Sequence, residues 1–277
     1  MSSNGKLDVL ISTYGVEGLQ RVTKMNLPQV EGVRYVVSLQ NPENKLIEIP
    51  ELLTRPDVLI SIINSKGLSK NRNNAISLSE ADVCLIADDD LDYTDDQLAA
   101  VMTTFEQNEH LDVAAFRFSG SGKVYPAHEF DLAQIPKGYY VSSVEIAFRR
   151  QSVGELRFNE WFGLGAPVLH SGEESVFVYQ ALCHGLKCRY FPITITHHGA
   201  TTTGVRSLTP GVLMAQGAYL SIVHRATALM RIFLFAWRSW RLGRVKLFPA
   251  VRHLVKGYIY GKRYFNTDGS IKCQPPR

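Results

Sequence analysis

Short apolar runs alternating with segments of helical character constrain the fold of this 277-residue chain more than any other feature. Lys6–Thr13 (KLDVLIST), Val33–Gln40 (VRYVVSLQ), Asp57–Ile63 (DVLISII) and Asp82–Ala87 (DVCLIA) are almost continuously apolar and too short for core helices, so they read as buried strands. Glu17–Leu27, stopped by Pro28, reads as a helix, as do Ser69–Ser79 and Asp95–Gln107, and Asp112–Phe118 follows as a further strand. Strands separated by helices predict βαβ units, an α/β fold and a mainly parallel sheet. Ligands of such sheets bind at the carboxyl ends of the strands. The residues that matter most are therefore Thr13–Tyr14, Ser38–Gln40, Asn64–Lys66 and Asp88–Asp90.

From about Ser119 the pattern loosens. Tyr139–Arg149 reads as a strand, Asn159–Ser171 is rich in glycine and aromatics, and Glu173–His184 reads as a helix. Lys187–His197 is strand-like despite Pro192, and from Thr209 onward the chain is helical and basic. No internal repeat or low-complexity linker interrupts it. Residues 1–208 are expected to form a catalytic-type domain and 209–277 a helical appendage. At 45% hydrophobic and 20% charged, the chain has the composition of an ordered globular protein.

The formal charge of +4 conceals a split. Residues 1–174 hold 15 Lys+Arg against 25 Asp+Glu, whereas residues 175–277 hold 15 against one, Asp268. Such asymmetry predicts an anionic partner for the second half. The first residues show no charged-then-apolar signal region, and the most apolar stretch, Ala228–Trp237, is about half a membrane span and contains Arg231. Cys84, Cys183, Cys188 and Cys273 are irregularly spaced; Cys84 reads as a buried thiol, and only Cys183 and Cys188 are close enough to suggest a pair. A reducing, cytoplasmic setting is expected.

Four features carry candidate chemistry. Asp88-Asp89-Asp90 directly follows a strand; three adjacent carboxylates repel one another, and a divalent cation would relieve that repulsion. The ordinary alternative is a solvated acidic turn continued by Asp92, Asp95 and Asp96, with Asp95 as helix N-cap. Gly67-Leu-Ser-Lys-Asn-Arg-Asn-Asn opens a helix bearing Lys70 and Arg72, a setting that suits phosphate, or else a capped surface helix. Glu173-Glu174 opens another helix after Gly172, where helix-dipole stabilisation alone accounts for acids equally well as catalysis does. His197-His198 closes a strand, where either imidazole is a candidate metal ligand or a structural residue.

Taken in order, ISTYG, VVSLQNPE, GLSKNRNNAI, LIADDD, FNEWFGLGAPVLHSGEES and YFPITITHHGATTTG resemble the family 2 glycosyltransferases of the GT-A fold, over roughly Leu7 to Gly204. The resemblance implies an inverting, divalent-cation-dependent (Mn²⁺ or Mg²⁺) transfer from a nucleotide-sugar donor, with UDP the default. It implies nucleotide contacts at Thr13 and Tyr14, and at Ser38 and Gln40, where this chain lacks the family's frequent acid. It implies a basic contact at Arg72 with Lys70 beside it, ribose and metal contacts at Asp88 and Asp90 with Asp89 sharing the role, and a base at Glu174 with Glu173 in reserve. It maps the late metal-ligand histidine to His198 or His197, the spacing to Thr203-Gly204 favouring His198.

In the basic half, Tyr219–Arg241 places Arg231, Arg238 and Arg241 on one helical face with Ile222, Leu229, Met230, Phe233, Trp237 and Trp240 mostly opposite. Val245–Phe265 repeats the combination. Such helices suit an anionic membrane interface, or pack their apolar faces on the catalytic part. No nucleic-acid module is recognised. The implied acceptor is a saccharide or lipid-linked saccharide of surface polysaccharide or glycolipid synthesis, met at the inner face of the membrane. A nucleotidyltransferase forming sugar nucleotides is the competing enzyme class, but it would want a Gly-rich basic loop after the first strand. A non-enzymatic membrane- or nucleic-acid-binding protein leaves the strand-end acids without a use.

Overall fold

A computed structural model describes residues 6–120, 122–198 and 208–275. They form two compact units, one drawn from Met1–Lys66, Lys70–Leu156 and His184–Thr202, the other from Gly67–Ser69, Arg157–Cys183 and Thr203–Arg277.

The first unit is an α/β sheet. In chain order its elements are β1 (Leu7–Tyr14), α1 (Gly15–Val22), β2 (Val33–Gln40), β3 (Val58–Ile63), α2 (Leu68–Leu78, from Lys70 onward), β4 (Val83–Asp88) and β5 (Leu91–Asp92). Then follow α3 (Asp95–Gln107), β6 (Val113–Ser119), β7 (Phe130–Asp131), β8 (Ile146–Arg149) and α4 (Arg150–Val153), and after the second unit's α5 (Glu173–Cys183) comes β9 (Cys188–His198). The strand order is β3-β2-β1-β4-β8-β6-β9-β5, with β7 against β9. β3, β2, β1 and β4 run parallel, as do β6 and β9; β8 enters antiparallel to β4 and β6. The predicted mostly parallel α/β sheet is thus present. One face is closed by α1 and α3, whose Leu19, Val22, Leu98, Val101 and Phe105 join the main apolar core.

Four local expectations are corrected. α1 ends at Val22 rather than at Leu27, because Asn26 is captured by the β5 segment: its N–H donates to Asp92 Oδ1 (2.7 Å) and its side chain to the Tyr93 carbonyl (2.6 Å). The N-cap of α3 is Thr94, in a capping box with Gln97, so Asp95 is the first helical residue. Of the strand expected at 139–149, only Ile146–Arg149 forms. The fully buried Glu145 carboxylate gathers the Tyr139 hydroxyl, the Ser142 amide, the Tyr125 hydroxyl and the Lys123 ammonium, which bends the chain before it. The helix expected across 219–241 is broken at His224–Thr227. β9 tolerates Pro192 through a bulge, two steps along β6 (Ala115 to Arg117) matching four along β9 (Tyr190 to Thr194).

The second unit holds α5 and three further helices, α6 (Pro210–Val223), α7 (Ala228–Arg241) and α8 (Leu247–Tyr264). α6 and α8 approach so closely that a Cβ on Gly217 would lie 2.0 Å from the Leu254 carbonyl oxygen, and one on Gly257 would lie 1.9 Å from that of Met214. Only glycine allows this backbone contact. All four cysteines are free, with Cys84 buried as expected and Cys183 exposed. Among the described residues no helix is long and apolar enough to cross a membrane.

Candidate active site

Candidate residues fall in both units. In the first unit, the parallel registers align Ser61 of β3, Ser38 of β2, Ser12 of β1 and Asp88 of β4 in one polar row near the carboxyl ends of the strands. α2 is tied to this row by polar side chains. Asn74 Nδ2 donates to Ser38 Oγ (2.8 Å) and Ser61 Oγ (3.1 Å), and Asn71 Nδ2 donates to the Thr13 carbonyl (2.8 Å). Arg72, only 1% exposed, donates through Nη2 to Asp88 Oδ1 (3.0 Å) and Ser143 Oγ (2.8 Å). The basic residue assigned to phosphate is therefore also a buried partner of the first aspartate. Lys70 beside it is exposed.

The three aspartates have three different surroundings. Asp88 is paired with Arg72 and keeps partial access to water. Asp89 is buried and accepts a two-pronged contact from Arg21 (Nε to Oδ1 3.0 Å, Nη2 to Oδ2 2.8 Å) and a short hydrogen bond from the Thr13 hydroxyl. Gly18 makes room for that cluster, since a Cβ there would sit 2.2 Å from Thr13 Oγ1. Asp90 is exposed, and its Oδ2 lies 3.3 Å from His198 Nε2. Partial burial raises the Asp90 carboxyl above the ordinary carboxylate value, and Asp88 and Asp89 add repulsion, against the opposing pull of His198 and Arg21.

Strand pairing accounts for the Asp90–His198 contact. β5 runs antiparallel to the end of β9, with Leu91 opposite His198 and Asp92 opposite His197. Successive strand residues point to opposite faces. The His198 ring thus reaches Asp90, while His197 Nδ1 lies 2.9 Å from Ser119 Oγ. Thr203-Gly204, used for the sequence spacing, lie outside the described residues. Among the described residues no three His, Cys, Asp or Glu side chains converge as a metal cluster. A carboxylate and an imidazole still suit a Mn²⁺ or Mg²⁺ ion, which often takes few protein ligands and completes its shell with substrate phosphates.

Of the other nucleotide candidates, Tyr14 is 44% exposed at the end of β1, whereas Thr13 and Ser38 are buried. Gln40, also buried, donates through Nε2 to Ser65 Oγ (3.0 Å). Arg21, Asn71, Asn74 and Ser143 escaped the sequence reading. Asn71 and Asn74 lie three apart beside Arg72, a helical spacing visible in NRNN, but nothing local marks Arg21 or Ser143.

In the second unit, Glu173 and Glu174 open α5 after Gly172, whose φ of +83° suits glycine. Glu173 is 1% exposed and its carboxylate lies against Gly163. The Gly-rich loop before it is pinned: Ser69 Oγ donates to the Phe162 carbonyl (2.6 Å), Gly163 N–H to the Leu169 carbonyl (2.9 Å) and Asn159 Nδ2 to the Gly269 carbonyl (3.0 Å). Glu174 is half-buried; burial first, and then the Glu174 charge, push the Tyr219 hydroxyl above its ordinary value, Arg231 pulling the other way.

Comparison with known proteins bears on the fold and the enzyme class. Residues 48–159 match the model of "Glycosyl transferase family 2". No curated protein matches the sequence. Among solved structures, S. aureus TarS 1-349 in complex with UDP is similar at a TM-score of 0.58 and 17% identity, over 91% of this chain and 80% of that one. The same TarS segment with UDP-GlcNAc gives 0.55 at 16% identity, over 94% and 93%. The mannosyltransferase PcManGT from Pyrobaculum calidifontis, with GDP-Man and Mn2+, gives 0.55 at 12% identity, over 94% and 88%. At these identities the structural likeness concerns the fold, and the family match supplies the activity. The chain carries a glycosyl transferase family 2 segment on a GT-A-type sheet, and it is a glycosyltransferase.

Proposed function

We propose that the protein is a metal-dependent, inverting glycosyltransferase that moves a sugar from a nucleoside diphosphate, UDP by preference, to a hydroxyl of a saccharide or lipid-linked saccharide. The observation carrying the metal dependence is the 3.3 Å approach of Asp90 Oδ2 to His198 Nε2. Support for a nucleotide-sugar donor comes from the UDP, UDP-GlcNAc and GDP-Man complexes of the similar structures. Functionally, residues 1–208 act as the catalytic part and 209–277 as a basic helical appendage working at the inner face of the membrane.

The chemistry asks three things of the chain. The acceptor hydroxyl must lose its proton as its oxygen attacks the anomeric carbon, and a positioned carboxylate takes it. Glu174 is the better placed of the pair, because Glu173 is sealed against Gly163. As the new bond forms, the bond from the anomeric carbon to the diphosphate oxygen breaks, and direct displacement inverts the configuration. The leaving diphosphate gathers negative charge, which a divalent cation held by Asp90 and His198 would neutralise as a Lewis acid. Tyr14, exposed at the end of β1, is available to the nucleotide, while Thr13, Asp89 and Arg21 hold the turn that presents Asp90.

Incubation with a panel of nucleotide sugars, with and without Mn²⁺, tests this reading. One donor is expected to release its nucleoside diphosphate slowly by hydrolysis, only with the cation. Glu174→Gln should abolish transfer to an acceptor while donor binding persists. Metal-indifferent turnover would remove the metal site, and near-wild-type transfer by Glu174→Gln would move the base elsewhere.

A further inference from the structure

The sequence left the apolar residues of 219–241 to be shared between a membrane and the protein's own core. The structure separates them. α7 buries Ala228, Ile232, Ala236 and Ser239, spaced four, four and three residues apart, which is a helical stripe. Beside that stripe, Leu229, Met230, Phe233, Leu234, Trp237 and Trp240 are all exposed, Phe233 by 57% and Trp240 by 49%. This is a contiguous open apolar surface on one short helix, of the kind that marks an interaction site. Arg231, Arg238 and Arg241 run along its margin, and the Arg241 guanidinium lies 5.2 Å from the centre of the Trp237 ring.

We propose that this face of α7 docks the protein on an anionic lipid bilayer, lying in the interface plane. Charge decides between a bilayer and a second copy of the chain. From Arg225 to Lys246 there are six cations, all exposed, and no acid. A symmetric dimer built on this face would set the same cations against each other, since each copy contributes the same patch. An anionic bilayer answers both halves of the surface at once: acyl chains take the Leu, Met and Phe side chains, headgroup phosphates pair with the arginines, and the two tryptophans suit the boundary. α7 is about 21 Å long and lies along the surface rather than across it. This inference is independent of the transfer chemistry.

The test is co-sedimentation of the full chain with vesicles of phosphatidylcholine alone or mixed with phosphatidylglycerol. Wild type should pellet with the mixed vesicles, stay in solution with the neutral ones, and release as salt is raised. The tryptophan emission should shift to the blue only with the mixed vesicles. The triple variant Arg231→Gln, Arg238→Gln, Arg241→Gln should lower the partition coefficient on the order of 100-fold. The double variant Phe233→Ser, Trp237→Ser should lower it by at least about tenfold. These side chains are exposed, so both variants should melt with wild type, and melting curves check that. Wild type that fails to pellet, or a triple variant that pellets equally, would overturn the proposal. So would a concentration-dependent dimer abolished by the double variant, which would give the face to a protein partner.

Discussion

Arg72 and Asp88 form an ion pair at the carboxyl end of β4, with the guanidinium sealed from solvent and the carboxylate half open to it. This asymmetry makes the two halves of the pair unequal. Losing one partner of a fully buried pair costs about 3–5 kcal/mol, and water reaching the survivor lowers that figure. Arg72→Met leaves an acid that water can solvate, so a loss of roughly 2–3 kcal/mol is expected. Asp88→Ala strands a buried cation and should cost more. Urea unfolding of both variants checks the order; a cheaper Asp88→Ala would mean that Arg72 is held mainly by other contacts.

The β5–β9 pairing separates the two histidines, of which the motif spacing favoured His198. His198 faces Asp90 and His197 faces Ser119. His198→Ala should weaken Mn²⁺-dependent donor binding by at least about tenfold, the loss found even for groups behind the ligands. His197→Ala should bind within about twofold of wild type, well short of that loss. Calorimetric titration of a nucleotide sugar, with and without Mn²⁺, reads both. Equal effects from the two variants would remove His198 from the metal site.

Strand ends were legible because buried parallel strands are short apolar runs, and the acids directly after β4 stand out against such a run. That the chain is a glycosyltransferase was legible from the order of the motifs. Burial was not. Thr13, Ser38, Arg72 and Asp89 lie at the expected strand and helix ends, yet all are enclosed by partners distant in sequence, such as Arg21, 68 residues from Asp89. No local pattern encodes a contact of that separation. The same holds for Glu145, whose partners all precede it, as far back as Lys123 and Tyr125, and turn an apparent strand into a bend. Periodicity also could not assign the faces of α7, because apolar residues occupy both its buried and its open side.

Gly163 lies in the loop that supports the α5 acids, and its φ of +105° combines with crowding. A Cβ there would come 3.0 Å from Ser69 Oγ and 3.1 Å from the Glu173 carboxylate. Gly163→Ala should cost roughly 1–3 kcal/mol and displace Glu173, lowering turnover as well. Gly185 provides the control: its φ is +76°, but nothing lies within 4 Å of a Cβ there. Gly185→Ala should pay only the backbone strain and leave turnover unchanged. Thermal melts paired with donor hydrolysis rates separate the two, and equal rates would dissociate the loop from the chemistry.

Asp8 predicts the acid limit of the fold. It lies in the interior of β1, fully buried. Arg34 grips both its oxygens (Nε to Oδ1 3.0 Å, Nη2 to Oδ2 2.9 Å), and Oδ2 also accepts from Ser79 Oγ (2.7 Å) and the Glu80 amide (2.9 Å). Burial alone would raise this carboxyl, but the hydrogen bonds from Arg34, Ser79 and the Glu80 and Ala81 amides outweigh it and hold it below its ordinary value. A carboxyl depressed by folding stabilises the protein above its unfolded value, about 3.9, and that contribution disappears as pH falls through the folded value. Asp8→Asn should therefore be less stable than wild type by roughly 2–4 kcal/mol at neutral pH, because the buried Arg34 contact loses its charge partner. The gap should be constant down to about pH 4 and narrow below it, since only wild type still has that charge to lose. Urea midpoints measured across this range test the sign: a gap that widened on acidification would mean that Asp8 is buried neutral.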